Sequence, residues 1–145
     1  MRAQIDRNRA FPLDDPKVVG SCDTLVTLLI RFLGCLPKGL VTGTCTALII
    51  AEAKRRDADA DASDFRSQLT TRSYFAILRA GMSRNKCEML AAFVRHWRRV
   101  AEHEDANRMN GRAVATCVFP AVFPALDLIL IDILESMLRA PAEVR

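Results

Sequence analysis

Apolar residues recur every three or four positions over most of the chain and almost nowhere alternate in twos, which is the signature of amphipathic helices. In DTLVTLLIRFLGCL, Leu25, Leu28, Leu29, Phe32, Leu33 and Leu36 share one side, Asp23 stands where an N-cap is expected, and Pro37 with Gly39 stops the run. A second helix is expected over TCTALIIAEAKRR. The following RDADADASD is acidic and Ala-rich without an apolar face and reads as a solvated loop. Helical spacing resumes in DFRSQLTTRSYFAILRAG through Leu69, Tyr74, Ile77 and Leu78, and Gly81 ends it.

The clearest helix is SRNKCEMLAAFVRHWRRVAEHED, with Ser83 at the cap position. Met89, Leu90, Phe93, Trp97 and Val100 form its stripe, with His96 on the apolar side as a core histidine. Arg95, Arg98, Arg99 and Glu102 lie opposite as a solvated face. A shorter helix covers NGRAVATCVF and stops at the Phe119-Pro120 step, and a last one covers LDLILIDILESML. There Leu126, Ile129, Leu130, Ile133, Leu134 and Met137 share a face, while Leu128 and Ile131 fall outside it. Either the domain covers this helix on two sides, or the extra residues form an apolar strip awaiting a partner. No β-alternation of useful length and no internal repeat is present. The pattern predicts an all-α, bundle-like domain over residues 21–139, after a polar segment 1–20 and before a tail 140–145.

Composition narrows this picture. A chain of 145 residues, half of them apolar and 26% charged, suits one globular domain with its own core. The first residues, MRAQIDRNRAFPLDD, lack the apolar run of a secretory signal. The most apolar stretch is broken by Asp127, Asp132 and Glu135, short of the roughly 20 apolar residues a membrane span needs. Five cysteines include no C-x-x-C pair, and with two histidines they offer no zinc site of the usual spacing. They read as reduced, mostly buried thiols of a cytoplasmic protein, and neither a metal nor a cofactor is expected. The net charge of +4 suits an acidic partner surface or an anionic lipid. Without aromatic interleaving or a recognition motif, nucleic acid is not an expected partner.

Two stretches, taken in order, resemble the RhoGAP domain, the all-helical module that accelerates GTP hydrolysis by Rho-family GTPases. The first, DTLVTLLIRFLGCLPKGLV, is similar to the family's helix ending in Leu-Pro-x-Pro-Leu, with Leu36, Pro37 and Leu40 kept and Gly39 in place of the second proline. The second runs from SRNKCEMLAAFVRHWRRVAEHEDANRMN into GRAVATCVFPAVF. Its Asn85, His96, Val100, Asn107, Met109, Ala115 and Pro120 match the family's Asn-x-x-Thr-Leu, His-Leu-x-x-Val, Asn-Lys-Met and Asn-Leu-Ala-x-x-Phe-Gly-Pro steps. The resemblance covers most of residues 20–124 and implies a RhoGAP-like helical bundle.

The family's chemistry does not follow it. The arginine finger, which supplies positive charge to the phosphoryl-transfer transition state, sits in a Gly-x-Phe-Arg-x-x-Gly segment. By the resemblance that segment falls before residue 1, so the bundle lacks the finger-loop part; Arg2, Arg7 and Arg9 stand outside any such motif. The Lys and Arg that the family carries on its Leu-Pro helix fall on Ile30 and Gly34, and its interface Asn falls on Ala113. The resemblance therefore implies a GAP-dead binding module, similar to the inactive domains of inositol polyphosphate 5-phosphatases and of the phosphoinositide 3-kinase regulatory subunit. Its partner would be a Rho-family GTPase or an adaptor protein in signal transduction, met through Arg31, Lys38, Asn107, Met109, Arg112 and Pro120, with Arg108 close by. Two other readings stay open: an active GTPase-activating domain whose finger lies outside this chain, and an oligomerisation or peptide-docking module using Leu128, Ile131 and their neighbours in the last helix.

Overall fold

A computed structural model describes residues 22–58 and 64–140. The described residues form helices and no strand: α1 (Cys22–Gly34), α2 (Gly43–Ala58), α3 (Asp64–Gly81), α4 (Arg84–Glu102), a single turn α5 (Glu104–Asn107), α6 (Gly111–Val122) and α7 (Ile129–Arg139). This is the all-helical architecture that the periodicity predicts. The polar segment 1–20, the middle of the acidic loop (59–63) and residues 141–145 lie outside the described residues, as do the side chains of Leu25 and Leu69.

One contiguous core joins the helices, and α7 lies in its middle, packed against α2, α3, α4 and α6. Leu130, Ile131, Ile133, Leu134, Met137 and Leu138 are all buried. At 100° per residue this is a face about 160° wide, so the domain covers the helix on two sides and Ile131 is not part of an exposed strip. Leu126, placed on the inner face by its spacing, is 81% exposed. Its register does not continue from α7, because the chain between Phe123 and Leu128 is not helical.

On α4 the buried side chains are Leu90, Val94 and Trp97, and Phe93 stacks on Trp97 with ring centroids 5.3 Å apart. The buried face therefore centres between Val94 and Trp97. His96, about 100° from Trp97 on the outer side, is exposed instead of being a core histidine. The same rotation brings Arg98 inward from the expected solvated face. Its Nε donates to the Leu138 carbonyl at 2.7 Å and its Nη2 to those of Met137 at 3.2 Å and Ala140. These are carbonyls at the end of α7, which have no partner within the helix, and the guanidinium also opposes the negative end of the helix dipole.

Helix ends follow local chemistry. Ser83 occupies the N-cap position of α4 in extended conformation, but its hydroxyl makes no capping bond. Asn110 does cap α6, its Oδ1 accepting from the Ala113 N–H at 2.8 Å. Pro120 lies inside α6 instead of ending it. Its missing N–H frees the Thr116 carbonyl, on an exposed side where water can take the bond. The helix stops at Phe123, whose extended backbone (φ −109°, ψ 140°) is the one a following proline enforces. Thiol burial is mixed: Cys45 is buried and Cys87 half-buried, but Cys35 and Cys117 are exposed. On α1, Leu33 is buried and Leu28 and Leu29 are half-buried, as is Leu36 in the turn that follows, but Phe32 is 51% exposed and lies off the core face.

The end of α3 packs closely on the start of α2. A Cβ added to Gly81 would sit 2.4 Å from the buried Sγ of Cys45. Gly81→Ala should therefore destabilise the domain by about 1 to 3 kcal/mol, although alanine favours a helix over glycine by roughly 1 kcal/mol. Combined with Cys45→Ala, the same substitution should cost clearly less. Urea unfolding of the four variants checks this, and an equal cost in both backgrounds would show that the contact is not the cause.

Candidate functional site

The two stretches that carry the sequence pattern meet in space, because α1 packs on α6. After Gly34 the chain turns through Leu36-Pro37-Lys38-Gly39-Leu40, with Lys38 (φ 62°) and Gly39 (φ 71°) both in the left-handed region. Left-handed backbone at a residue with a Cβ costs about 1 to 2 kcal/mol, so something must hold Lys38 there. Lys86, at the start of α4, extends its ammonium to the loop and donates to the carbonyls of Pro37 (3.2 Å) and Gly39. The Gly39 N–H closes a turn onto the Leu36 carbonyl at 2.9 Å, and the Val41 N–H reaches the Val122 carbonyl at 3.0 Å. That last bond ties the loop to the C-terminal end of α6, which carries the exposed Pro120.

The N-terminal end of α6 is built from the α5–α6 connection. Asn107 donates through Nδ2 to the Val100 carbonyl and accepts through Oδ1 from the Met109 N–H, both at 2.7 Å. Its side chain thus holds the turn in which Arg108 takes a left-handed conformation. Met109 is half-buried against the core. Arg112 faces α7, where it pairs with Asp132 and, at 3.3 Å, with Glu135, which also accepts from Arg139 at 2.5 Å. Hydrogen bonds to Asp132 and then Glu135 raise the pKa of this exposed guanidinium above its ordinary value, so its charge is permanent.

The residues singled out from the sequence therefore fall into two groups. Lys38 and Pro120 lie near the loop end, next to the C-terminus of α1. Asn107, Met109, Arg112 and Ala113 lie at the opposite end of α6, seven residues or about 10 Å along its axis from Pro120. Arg31 is exposed on α1 and Ile30 is half-buried; Ala113 is half-buried at the capped end of α6. Gly34 is exposed, and a Cβ built on it would meet nothing within 4 Å. Sequence reasoning did not find Lys86 as the loop's clamp. Nothing in its neighbourhood along the chain signals a partner 47 residues away.

Among the described residues no group of three His, Cys, Asp or Glu side chains is placed to hold a metal ion. None of the described helices is long and apolar enough to cross a membrane. The loop yields a sharp test. Proline at position 39 would fix φ near −65° and remove the N–H bonded to Leu36, whereas the backbone there has φ 71°. Gly39→Pro should cost about 3 kcal/mol or more, and Gly39→Ala about 1 to 2 kcal/mol, read by chemical denaturation. A proline variant as stable as the parent would rule out this loop conformation.

In comparison with known proteins, residues 1–127 match the family model described as RhoGAP domain. No curated protein and no solved structure matches the chain.

Proposed function

The chain belongs to the RhoGAP family, whose members regulate Rho-family GTPases, and from that premise we propose that this copy is a binding module without GTPase-activating chemistry of its own. The observation that carries the proposal is the character of three positions. Ile30 and Gly34 present neither amine nor guanidinium where the family resemblance expects both, and Ala113 offers a methyl group where it expects an amide. These positions are half-buried or exposed, so core packing does not account for the exchanges.

What remains is suited to docking. Arg31 and Lys38 are exposed on α1 and its loop, and no carboxylate pairs with either among the described residues. Rim cations of this kind steer encounter with an acidic partner and contribute modestly to affinity. The partner is a Rho-family GTPase or an adaptor protein that meets α1 and α6, with Asn107, Met109, Arg112 and Pro120 on the α6 side. Asn107 acts there indirectly, because its amide is engaged in holding the Met109 turn. The last helix is a poorer candidate for self-association, since Ile131 is enclosed by the domain and only Leu126 and Leu128 ahead of it stay exposed.

The proposal is tested by rebuilding the polar positions. Gly34→Arg meets no obstacle, Ile30→Lys can carry its ammonium outward along its alkyl stem, and Ala113→Asn leaves the Asn110 cap in place. Each regained charged hydrogen bond contributes about 1.5 to 3 kcal/mol gross, reduced by ordering and desolvation. The triple variant should bind at least one Rho-family GTPase on the order of tenfold more tightly than the parent at matched ionic strength. Affinities measured with GDP-loaded and GTP-analogue-loaded GTPases check this. No gain for any member, with helicity unchanged, would mean that the α1–α6 surface does not meet GTPases.

A further inference from the structure

Among the described residues, two with a Cβ take left-handed backbone, Lys38 (φ 62°) and Arg108 (φ 60°). Arg108 stands at the C-cap of α5, where a left-handed residue commonly ends a helix. Lys38 lies beyond the end of α1. With Pro37 it forms the centre of a tight turn, closed by the Gly39 N–H on the Leu36 carbonyl at 2.9 Å. Proline at the first central position and positive φ at the second make the type II pattern, which favours glycine at the second. Here that position carries a lysine, and the glycine stands one residue later. The Lys38 side chain is exposed, and no carboxylate pairs with it among the described residues. Backbone strain is typically kept where a residue has a use beyond the fold, and the group left over at Lys38 is its charge. What offsets the strain is Lys86. From the start of α4 its ammonium donates to the carbonyls of Pro37, at 3.2 Å, and of Gly39, the residues on either side of Lys38.

From this arrangement we infer that Lys86 is a positioning residue for partner binding. Its two bonds bracket Lys38, hold the left-handed backbone there, and so fix where the Lys38 ammonium meets an acidic side chain of the docked protein. Released from the clamp, position 38 relaxes toward the right-handed or extended regions that a residue with a Cβ prefers, and its side chain leaves the turn in another direction. Lys86 itself is half-buried with its ammonium engaged, which suits holding the loop over contacting the partner. The inference rests on the reading of the α1–α6 surface as a docking face. It adds that a residue of α4 sets one of that face's contacts.

Two substitutions in the full chain test this. Lys86→Met keeps most of the side chain's length and removes its donors, and Lys86→Arg keeps a cation with donors for both carbonyls. Amide hydrogen exchange, followed by NMR without any partner, reads the loop directly. In the Lys86→Met variant the Gly39 N–H should exchange at least about tenfold faster, the worth of one charged hydrogen bond, while the α7 amides keep the parent's protection. Binding is then measured for Rho-family GTPases loaded with GDP or a GTP analogue, at low ionic strength where exposed charges are least screened. For a GTPase that binds the parent, Lys86→Met and Lys38→Ala should each weaken binding by about threefold, in keeping with an exposed ion pair. Lys86→Arg should recover most of that loss. In the Lys38→Ala background Lys86→Met should cost nothing further, a result that a purely structural Lys86 would not give. Unchanged Gly39 exchange in the Lys86→Met variant, parent-like GTPase binding by that variant, or an equal loss in both backgrounds would overturn the inference alone. A parent chain that binds no GTPase would overturn it together with the docking reading on which it rests.

Discussion

Arg98 and the helix it holds are the point on which the packing turns. α7 is buried over nearly half its circumference, and α2, α3, α4 and α6 are arranged around it. A helix so enclosed leaves its last carbonyls with little access to water, and an unpaired buried carbonyl costs about as much as a lost hydrogen bond. Arg98 resolves this from a neighbouring helix, 39 to 42 residues earlier in the chain. One interaction therefore ends α7 and goes with the rotation of α4 about its axis. The matched family residues stop at 127, just before α7 begins.

That rotation explains what the sequence could and could not tell. Apolar spacing located all the longer described helices, since a 3.6-residue period survives whatever packs on it. It could not say which of two adjacent positions at the edge of a stripe turns inward. His96 and Arg98 flank Trp97 symmetrically along the chain, yet the arginine reaches the carbonyls at the end of α7 and the histidine stays exposed. Leu126 shows a different limit: its spacing continues the α7 stripe, but Phe123-Pro124 forces extended backbone before the helix begins. The Phe-Pro step that ends α6 is this later one, and the proline at 120 is carried within the helix on its wet side. The candidate site was legible at the level of residue identity, through the Leu-Pro and Asn-x-Met steps. Its geometry was not, because Lys86 and the left-handed pair Lys38-Gly39 depend on contacts between distant segments.

The loop and the three exchanged positions differ in what they permit. Gly39 is constrained by its backbone, and there the family-like proline is physically incompatible with the conformation present. Gly34 carries no such constraint, since it is exposed and a Cβ there would meet nothing within 4 Å, and Ile30 and Ala113 lie outside the fully buried core. The core residues satisfy the helical bundle, and a side chain at position 34 need not disturb it.

That this copy lacks GTPase-activating chemistry is the central proposal, and single-turnover GTP hydrolysis by Rho-family GTPases measures it directly. An arginine finger contributes on the order of 10³ to 10⁵ in rate, so even an impaired one would stand well above the intrinsic rate. With this protein added at micromolar concentration, hydrolysis should proceed at the intrinsic rate for every member tested. Acceleration beyond about tenfold, a small fraction of a working finger's effect, would contradict the account.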